Sequence, residues 1–470
     1  MKTTGWGNYP ILNDATLLQP ADAESIQRTV ESSHFEFIAR GNGRSYGDSS
    51  LSKNMISTRN IDQFIELNKD LNLLTCEAGL TLDDVLRAIV PKGRFLPVLS
   101  GADLVTIGGA IASDVHGKNH HQDGSFCDHV HSIKLLVASG EIIECNRTNQ
   151  ADVFHATCGG MGLTGVIIAA TLQLVPISSH KIKQSIIPAL DFENCIALLE
   201  QNSQSKYSVA WLDSKLRNKN FGRSVLFLGE HFTETENNKI IHPKRSDLSI
   251  PFSCPSWFLN PYISQVFNET YFRLKKQGHS TVNYREFFFP LERVKNWNSL
   301  YGARGFLQYQ LVVPSAKGIK EILLAVSNSN DCSYLTVLKK FGESNQNLLS
   351  FPQDGYTLTM DFKRTRSIFS LLDKLDEIVL NLGGRLYCAK DARMSKKVFQ
   401  SSYPRCFGSG TCSSTSRQVT TSYFLSDELK RFSAVDSIYV IAFLFLSACN
   451  CAIFMPGPAA SMPVTFPPKS

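Results

Sequence analysis

Apolar positions in the first third of the chain come in short runs cut by glycine, and these runs predict short strands and helices. Residues 35–39, FEFIA, predict a strand that leads straight into Arg40-Gly41-Asn42-Gly43-Arg44-Ser45-Tyr46-Gly47-Asp48. Residues 72–79 predict a second strand. Residues 81–90, TLDDVLRAIV, are amphipathic at helical spacing, and Thr81 can cap that helix. Residues 131–138 and 141–145 flank Ser139-Gly140, which predicts a hairpin; residues 152–157 predict a short helix. Residues 166–175, VIIAATLQLV, predict a strand that ends before Pro176.

Pro176-Ile177-Ser178-Ser179 marks a first domain boundary, and from there to about Arg405 longer strands and helices alternate. The stretch 250–274 fits neither period: it is rich in aromatics and interrupted by prolines. Two readings stay open for it, an apolar loop that moves or touches lipid, and a buried irregular core segment. No internal repeat is visible. Residues 406–422, rich in Ser, Thr and Gly, read as a loop.

A length of 470 residues allows two or three domains. The net charge of +6 is mild and spread out, so nucleic acid is not expected as a partner, while phosphates and other anions are favoured ligands. The twelve cysteines form no C-x-x-C pair, which suits reduced core thiols in a cytosolic protein. No apolar signal segment opens the chain. Residues 437–455, SIYVIAFLFLSACNCAIFM, carry no charge and reach bilayer-spanning length. They read either as a tail anchor or as a tail that covers an apolar surface, so the expected location is cytoplasmic or membrane-associated.

Three glycine-rich stretches carry the candidate chemistry: residues 41–48, 101–113 and 159–165. Glycine lets backbone N–H groups turn towards an anion and lets a phosphate approach without a Cβ in the way. One such loop is usually only a turn; three in one domain suit a long ligand with a pyrophosphate. Gly160, Gly162 and Gly165 form a G-x-G-x-x-G, but a helix precedes it and a strand follows. The dinucleotide fingerprint needs the reverse order, so that reading fails. His116, His120 and His121 lack carboxylates at ligand spacing, and no metal is expected.

The segments RGNGRSYGDSSL, LSGADLVTIGGAIASDVHGKNHHQDGSF and CGGMGLTGVIIAATLQLVP resemble the FAD-binding PCMH-type domain of the vanillyl-alcohol-oxidase superfamily. Within it they resemble most the decaprenylphosphoryl-β-D-ribose 2′-oxidase subfamily. WLDSK, YGARGFLQYQLVVP, LKKFGESNQNLLSFPQDGY and GGRLYCAKDAR extend the resemblance over roughly residues 5–405, and FLSDELKRF resembles the family's C-terminal end. The resemblance implies an α+β fold: a two-part FAD-binding domain (1–178, with a return over 406–436), an inserted α+β cap domain (179–405) and an apolar tail (437–470). It implies FAD held by Ala39, Arg40, Gly41, Asn42, Gly43, Arg44, Ser45, Tyr46, Gly47, Asp48 and Ser49. Gly101, Thr106, Ile107, Gly108, Gly109, Ser113, Asp114, Val115, His116, Ile167 and Tyr387 would complete the site. Many relatives attach FAD to a histidine where this chain has Tyr46, which implies non-covalent FAD.

By the same resemblance Lys390 is the active-site lysine, as a base or as a charged stabiliser of an alkoxide. The plainer reading of Lys390 is a surface lysine paired with Asp391. Gln308 and Gln310 alternate on one face of an expected strand, so both can point into a pocket. Tyr387 and Gln310 join Lys390 as catalytic candidates. His116, Lys118, Gln308, Gln310, Lys339 and Lys390 are the substrate candidates, Lys339 for a phosphate. Thr359 stands where the best-known members carry a cysteine. The expected reaction is oxidation of the 2′-hydroxyl of a polyprenylphosphoryl ribose, with a short-chain reductase and a membrane surface as implied partners. The alternatives are a soluble aldonolactone or alditol oxidase acting on free sugars, and a flavin- or lipid-carrier-binding protein without turnover.

Overall fold

The computed structural model describes residues 1–408 except 34, 234–239, 245–247 and 256. The expected loop at 406–422, the return to the FAD-binding domain over 406–436 and the apolar tail therefore lie almost wholly outside the described residues. Among those residues no helix is long and apolar enough to cross a membrane.

The glycine-punctuated first part folds largely as its pattern predicts. Leu73–Glu77, Val130–Leu136, Ile142–Asn146 and Val166–Gln173 join Phe64–Asn68 in a five-stranded antiparallel sheet. Ser139-Gly140 turns the hairpin, with Gly140 at φ 86°. The helix Leu82–Ile89 starts at Thr81, whose hydroxyl accepts from Asp84 N–H while the Asp84 carboxylate accepts from Thr81 N–H. The strand expected at 35–39 shrinks to Ile38–Arg40 and pairs parallel with Asn54–Ser57. The strand expected to run to residue 175 breaks at Leu174. Val175–Pro176 instead pairs with Arg94–Phe95, an edge position that a proline tolerates. A single core unites these elements through Ile56, Leu74, Leu86, Ile107, Ile133 and Phe154.

The second part is organised by an eight-stranded antiparallel sheet. Its order is Gly278–Asn283, Lys181–Ala189, Ser224–His231, Tyr207–Leu212, Ser333–Phe341, Gly355–Lys363, Phe306–Val313 and Arg385–Leu386. Side chains alternate across it. Leu307, Tyr309, Leu311 and Val313, with Tyr356, Leu358, Met360 and Phe362, pack under the helices Ala316–Asn328 and Arg366–Asn381. The opposite face carries Gln308, Gln310, Thr357, Thr359 and Asp361. Cross-strand register pairs Gln308 with Asp361 and Gln310 with Thr359.

The stretch 250–274 is a correction. Residues Pro261–Leu274 form a regular helix, with Pro261 at its first position and Asn260 capping the N–H groups of Tyr262 and Ile263. The prolines read as interruptions all precede the helix or open it, where a missing N–H costs nothing.

Asp114 stitches the two parts together. Its buried carboxylate accepts from Ser125 Oγ and Ser350 Oγ (2.6 Å each), Cys127 N–H (2.9 Å), Asn345 Nδ2 (2.8 Å) and Asn347 Nδ2 (3.2 Å). Asp114→Ala leaves these donors unsatisfied, a loss of about 3 kcal/mol. Urea unfolding of the flavin-free protein should show a lower midpoint. A variant that keeps the midpoint and only binds flavin more weakly would return Asp114 to the cofactor ligands.

Candidate active site

The three glycine stretches converge on one cavity. Gly41 packs on the second stretch so closely that a Cβ would run into Thr106 Oγ1, and Asn42 Nδ2 donates to Leu104 O at 3.0 Å. The third stretch is laced to the helix Ile107–Ala112 of the second: Gly159 N–H donates to Ile111 O (2.9 Å) and Met161 N–H to Ala112 O (2.8 Å). The polar face of the large sheet closes the other side. About 1610 Å³ of atom-free space, partly open to solvent, lies between them.

Lining this cavity are Ala39, Gly41, Asn42, Gly43, Arg44, Ser45, Tyr46, Ser49, Gly101, Thr106, Gly108, Gly109, Ser113, Val115, His116, Ile167, Gln308, Gln310, Lys339, Tyr387 and Lys390. Six expected site residues lie elsewhere, for packing reasons. The Arg40 guanidinium donates to Thr4 O and Ser50. Gly47 and Asp48 face the backbone of Asp391. Ile107 is buried in the first core, and Asp114 is consumed by its own network. Lys118 sends its ammonium to the carbonyls of Phe287 and Phe288, over both rings, rather than to the cavity.

Lys390 is not a surface lysine. Its Nζ stands 3.8 Å from the centroid of the Tyr46 ring, on the cavity wall. The turn Cys388–Lys390 that presents it is fastened to the first glycine stretch. Tyr46 N–H donates to Ala389 O (3.1 Å), Asp48 N–H to Asp391 O (3.2 Å) and Ser49 Oγ to Cys388 O (2.9 Å). Burial pushes the Lys390 ammonium down to about 7, with Asp361 opposing that shift and Lys339 adding to it. Burial likewise brings Lys339 down to about 8.

Asp361 was missed as a site residue. It is fully buried, accepts from Gln308 Nε2 at 2.6 Å and from the Tyr301 hydroxyl at 3.4 Å, and is raised by burial to about 7. The alternation Thr357, Thr359, Asp361 was the available signal, since it places all three on the face that carries Gln308 and Gln310. Glu292 and Trp297 also line the cavity. They come from irregular backbone that no periodicity could assign.

Gln310 Nε2 donates to Thr357 Oγ1 (3.2 Å) and to His116 Nε2 (2.9 Å). That bond leaves the neutral ring's proton on Nδ1. Burial, then Lys339, His120 and Lys390, hold His116 well below its usual range, so the ring is neutral at pH 7. Tyr387 holds the ring from the other side: its hydroxyl donates to Ser113 O at 2.7 Å, and its own ring stacks on Phe351. His116 Nδ1 is buried without a hydrogen-bond partner among the described residues. An orphaned donor beside glycine backbone that leaves room for phosphate fits a large, polar, phosphate-bearing group such as FAD.

Comparison with known proteins agrees with this geometry. A family model described as an FAD binding domain matches residues 15–146. The chain is 34% identical over 420 residues to decaprenylphosphoryl-beta-D-ribose oxidase of Mycolicibacterium smegmatis, covering 85% of this chain and 91% of that protein. It is 24% identical over 394 residues to L-gulonolactone oxidase of Mus musculus, covering 74% of this chain and 79% of the relative. A glycine-lined cavity suited to FAD, on a chain similar over 85% of its length, places this protein in the family of FAD-dependent oxidoreductases acting on CH–OH groups that includes decaprenylphosphoryl-beta-D-ribose oxidase.

Proposed function

We propose that the protein oxidises a secondary hydroxyl of a phosphate-linked sugar, with the 2′-hydroxyl of a polyprenylphosphoryl β-D-ribose as the substrate. The observation that carries this reading is the pair of lysines on the cavity wall, Lys339 and Lys390, beside the amides of Gln308 and Gln310. Lys339 suits a substrate anion, Lys390 suits a hydroxyl proton, and the amides suit sugar hydroxyls. The similarity to the mycobacterial ribose oxidase supports the same substrate class. A soluble aldonolactone oxidase is the second reading, favoured by the likeness to the mouse lactone oxidase. The two-part domain with an inserted cap belongs to the same proposal, supported by a second core drawn wholly from residues after 188, although Ile182, Tyr207, Tyr284 and Phe287 of that part join the first core. A carbonyl reductase would then complete an epimerisation.

FAD, when bound, supplies the hydride acceptor of the oxidation. The glycine stretches and Tyr46 would hold it, non-covalently because tyrosine replaces the attaching histidine. The chain's own part is proton handling and positioning. With an ammonium near pH 7, Lys390 is substantially neutral at physiological pH and takes the hydroxyl proton as a general base. Asp361 then stabilises the ammonium that forms, and Gln308, bonded to Asp361, orients the sugar edge. Lys339 balances the phosphate.

Anaerobic addition of polyprenylphosphoryl ribose should bleach the flavin absorbance, while free lactones and alditols should not; the reverse pattern would favour the lactone oxidase. Lys390→Met should slow flavin reduction by about 10²–10⁴-fold. Asp361→Asn removes the anion that raises the Lys390 pKa, so the rise of reduction rate with pH should move to lower pH. A profile that moves to higher pH would contradict the pairing. Acid precipitation should release the flavin into the supernatant; yellow colour retained on the pellet would show a covalent link and misplace Tyr46.

A further inference from the structure

Just after the edge strand Gly278–Asn283, the second part of the chain reaches into the first. Residues Tyr284–Phe288 form a short helix, and Tyr284, Phe287, Phe288 and Phe289 belong to the first core. The rings of Tyr284 and Phe288 pack on Phe95 at 5.3 and 5.8 Å. Arg285 goes in with them and is only 8% exposed. A cation so placed needs acceptors around it. Arg285 finds two carboxylates, both from the first part. Its guanidinium donates to Asp103 Oδ2 at 2.7 Å and pairs with Asp83 Oδ1. Asp103 is 0% and Asp83 2% exposed. Arg87 takes the second Asp83 oxygen at 2.9 Å, so two buried carboxylates face two cations. Arg285 also donates to His242 Nε2 at 3.3 Å, and the Tyr284 hydroxyl bonds the Nδ1 of that ring at 2.7 Å. Burial lowers Arg285 to about 10, which leaves it charged at neutral pH.

Asp103 sits inside the second glycine stretch. Its chain neighbours Ser100, Gly101, Ala102, Val105 and Thr106 line the cofactor cavity, whereas Asp103 itself points away from it, to Arg285. Backbone bonds tie the stretch to the helix Leu82–Ile89: Asp83 N–H donates to Asp103 O and Leu82 N–H to Val105 O, at 2.9 Å each. These bonds lie within the first part. The Asp103 carboxylate adds an anchor from the second part, two residues from Gly101, which stands in open space. A buried ion pair is a weak source of stability, because desolvation offsets the attraction. What it does supply is a fixed distance. A loop already fixed in its binding shape holds its ligand more tightly.

We propose that Arg285 is a positioning residue for the cofactor: by bridging Asp83 and Asp103 it holds the second glycine stretch in the shape that receives FAD. The second part of the chain thereby sets the affinity of the first for flavin. Arg285 does not line the cavity and acts through Asp103. The inference is independent of which sugar is oxidised and is tested without substrate.

Flavin-free full-length protein is titrated with FAD well below the unfolding temperature of each variant, and Kd is read from quenching of flavin fluorescence. Arg285→Met is expected to weaken FAD binding at least about tenfold, and Asp103→Asn about as much. Arg285→Lys keeps the charge but cannot fork to both carboxylates, so its Kd should lie between those of Arg285→Met and the parent. Because Arg285 acts through Asp103, Arg285→Met/Asp103→Asn should bind FAD no more weakly than the weaker single variant. If Arg285→Met does not fold, Arg285→Lys takes its place in both comparisons. A lower urea midpoint with an unchanged Kd in the folded variants would overturn the proposal and leave the cluster a purely structural one. Losses that add in the double variant would overturn it as well, since Arg285 would then act by another route than Asp103.

Discussion

Gly47 and Asp391 meet backbone to backbone, so closely that a Cβ on Gly47 would overlap the Asp391 carbonyl. Any other residue would push the first glycine stretch away from the turn Cys388–Lys390. The hydrogen bonds from Tyr46, Asp48 and Ser49 to that turn depend on the same approach. Through it, residues more than 300 positions apart place the Lys390 ammonium over the Tyr46 ring. A side chain that is to act on a bound substrate at hydrogen-bond distance needs such a rigid mount.

The large sheet supplies the electrostatic half of the site. Its strands give one face to an apolar, helix-covered core and the other to Gln308, Gln310, Thr359 and Asp361. Rigid strands hold those polar groups in register without lengthy loops. Removal from water acts oppositely on the two kinds of charge. Asp361 rises and Lys390 falls, both to about 7. Near neutral pH both the charged and the neutral form of Lys390 are therefore accessible.

Glycine and polar residues around the cofactor cavity divide into those that leave room and those that hold the walls. Gly101 stands in open space, with nothing within 4 Å of a Cβ built there. Gly47 serves packing, and Asp114 serves a five-donor network that ties the helix Ile107–Ala112 to residues 345–350. Sequence motifs group these residues together because they are neighbours along the chain, whereas their tasks differ.

The sequence by itself determined the elements whose signals are local. The Thr81 cap, the hairpin at Gly140 and the alternation of Gln308 with Gln310 all follow from periodicity and turn chemistry between near neighbours. The glycine stretches and their resemblance identified the cofactor. Where a signal depended on distant partners, the sequence was silent. Lys118 reads like its neighbour His116, yet its ammonium caps the carbonyls of Phe287 and Phe288. Asp361 became a site residue only when strand pairing set it against Gln308. The aromatic stretch 250–274 turned helical because Asn260 and Pro261 start it, and its inner face is held by Asp213, far away in the chain. Tertiary structure alone decided these points, because burial and pairing are properties of the folded surroundings and not of the residue.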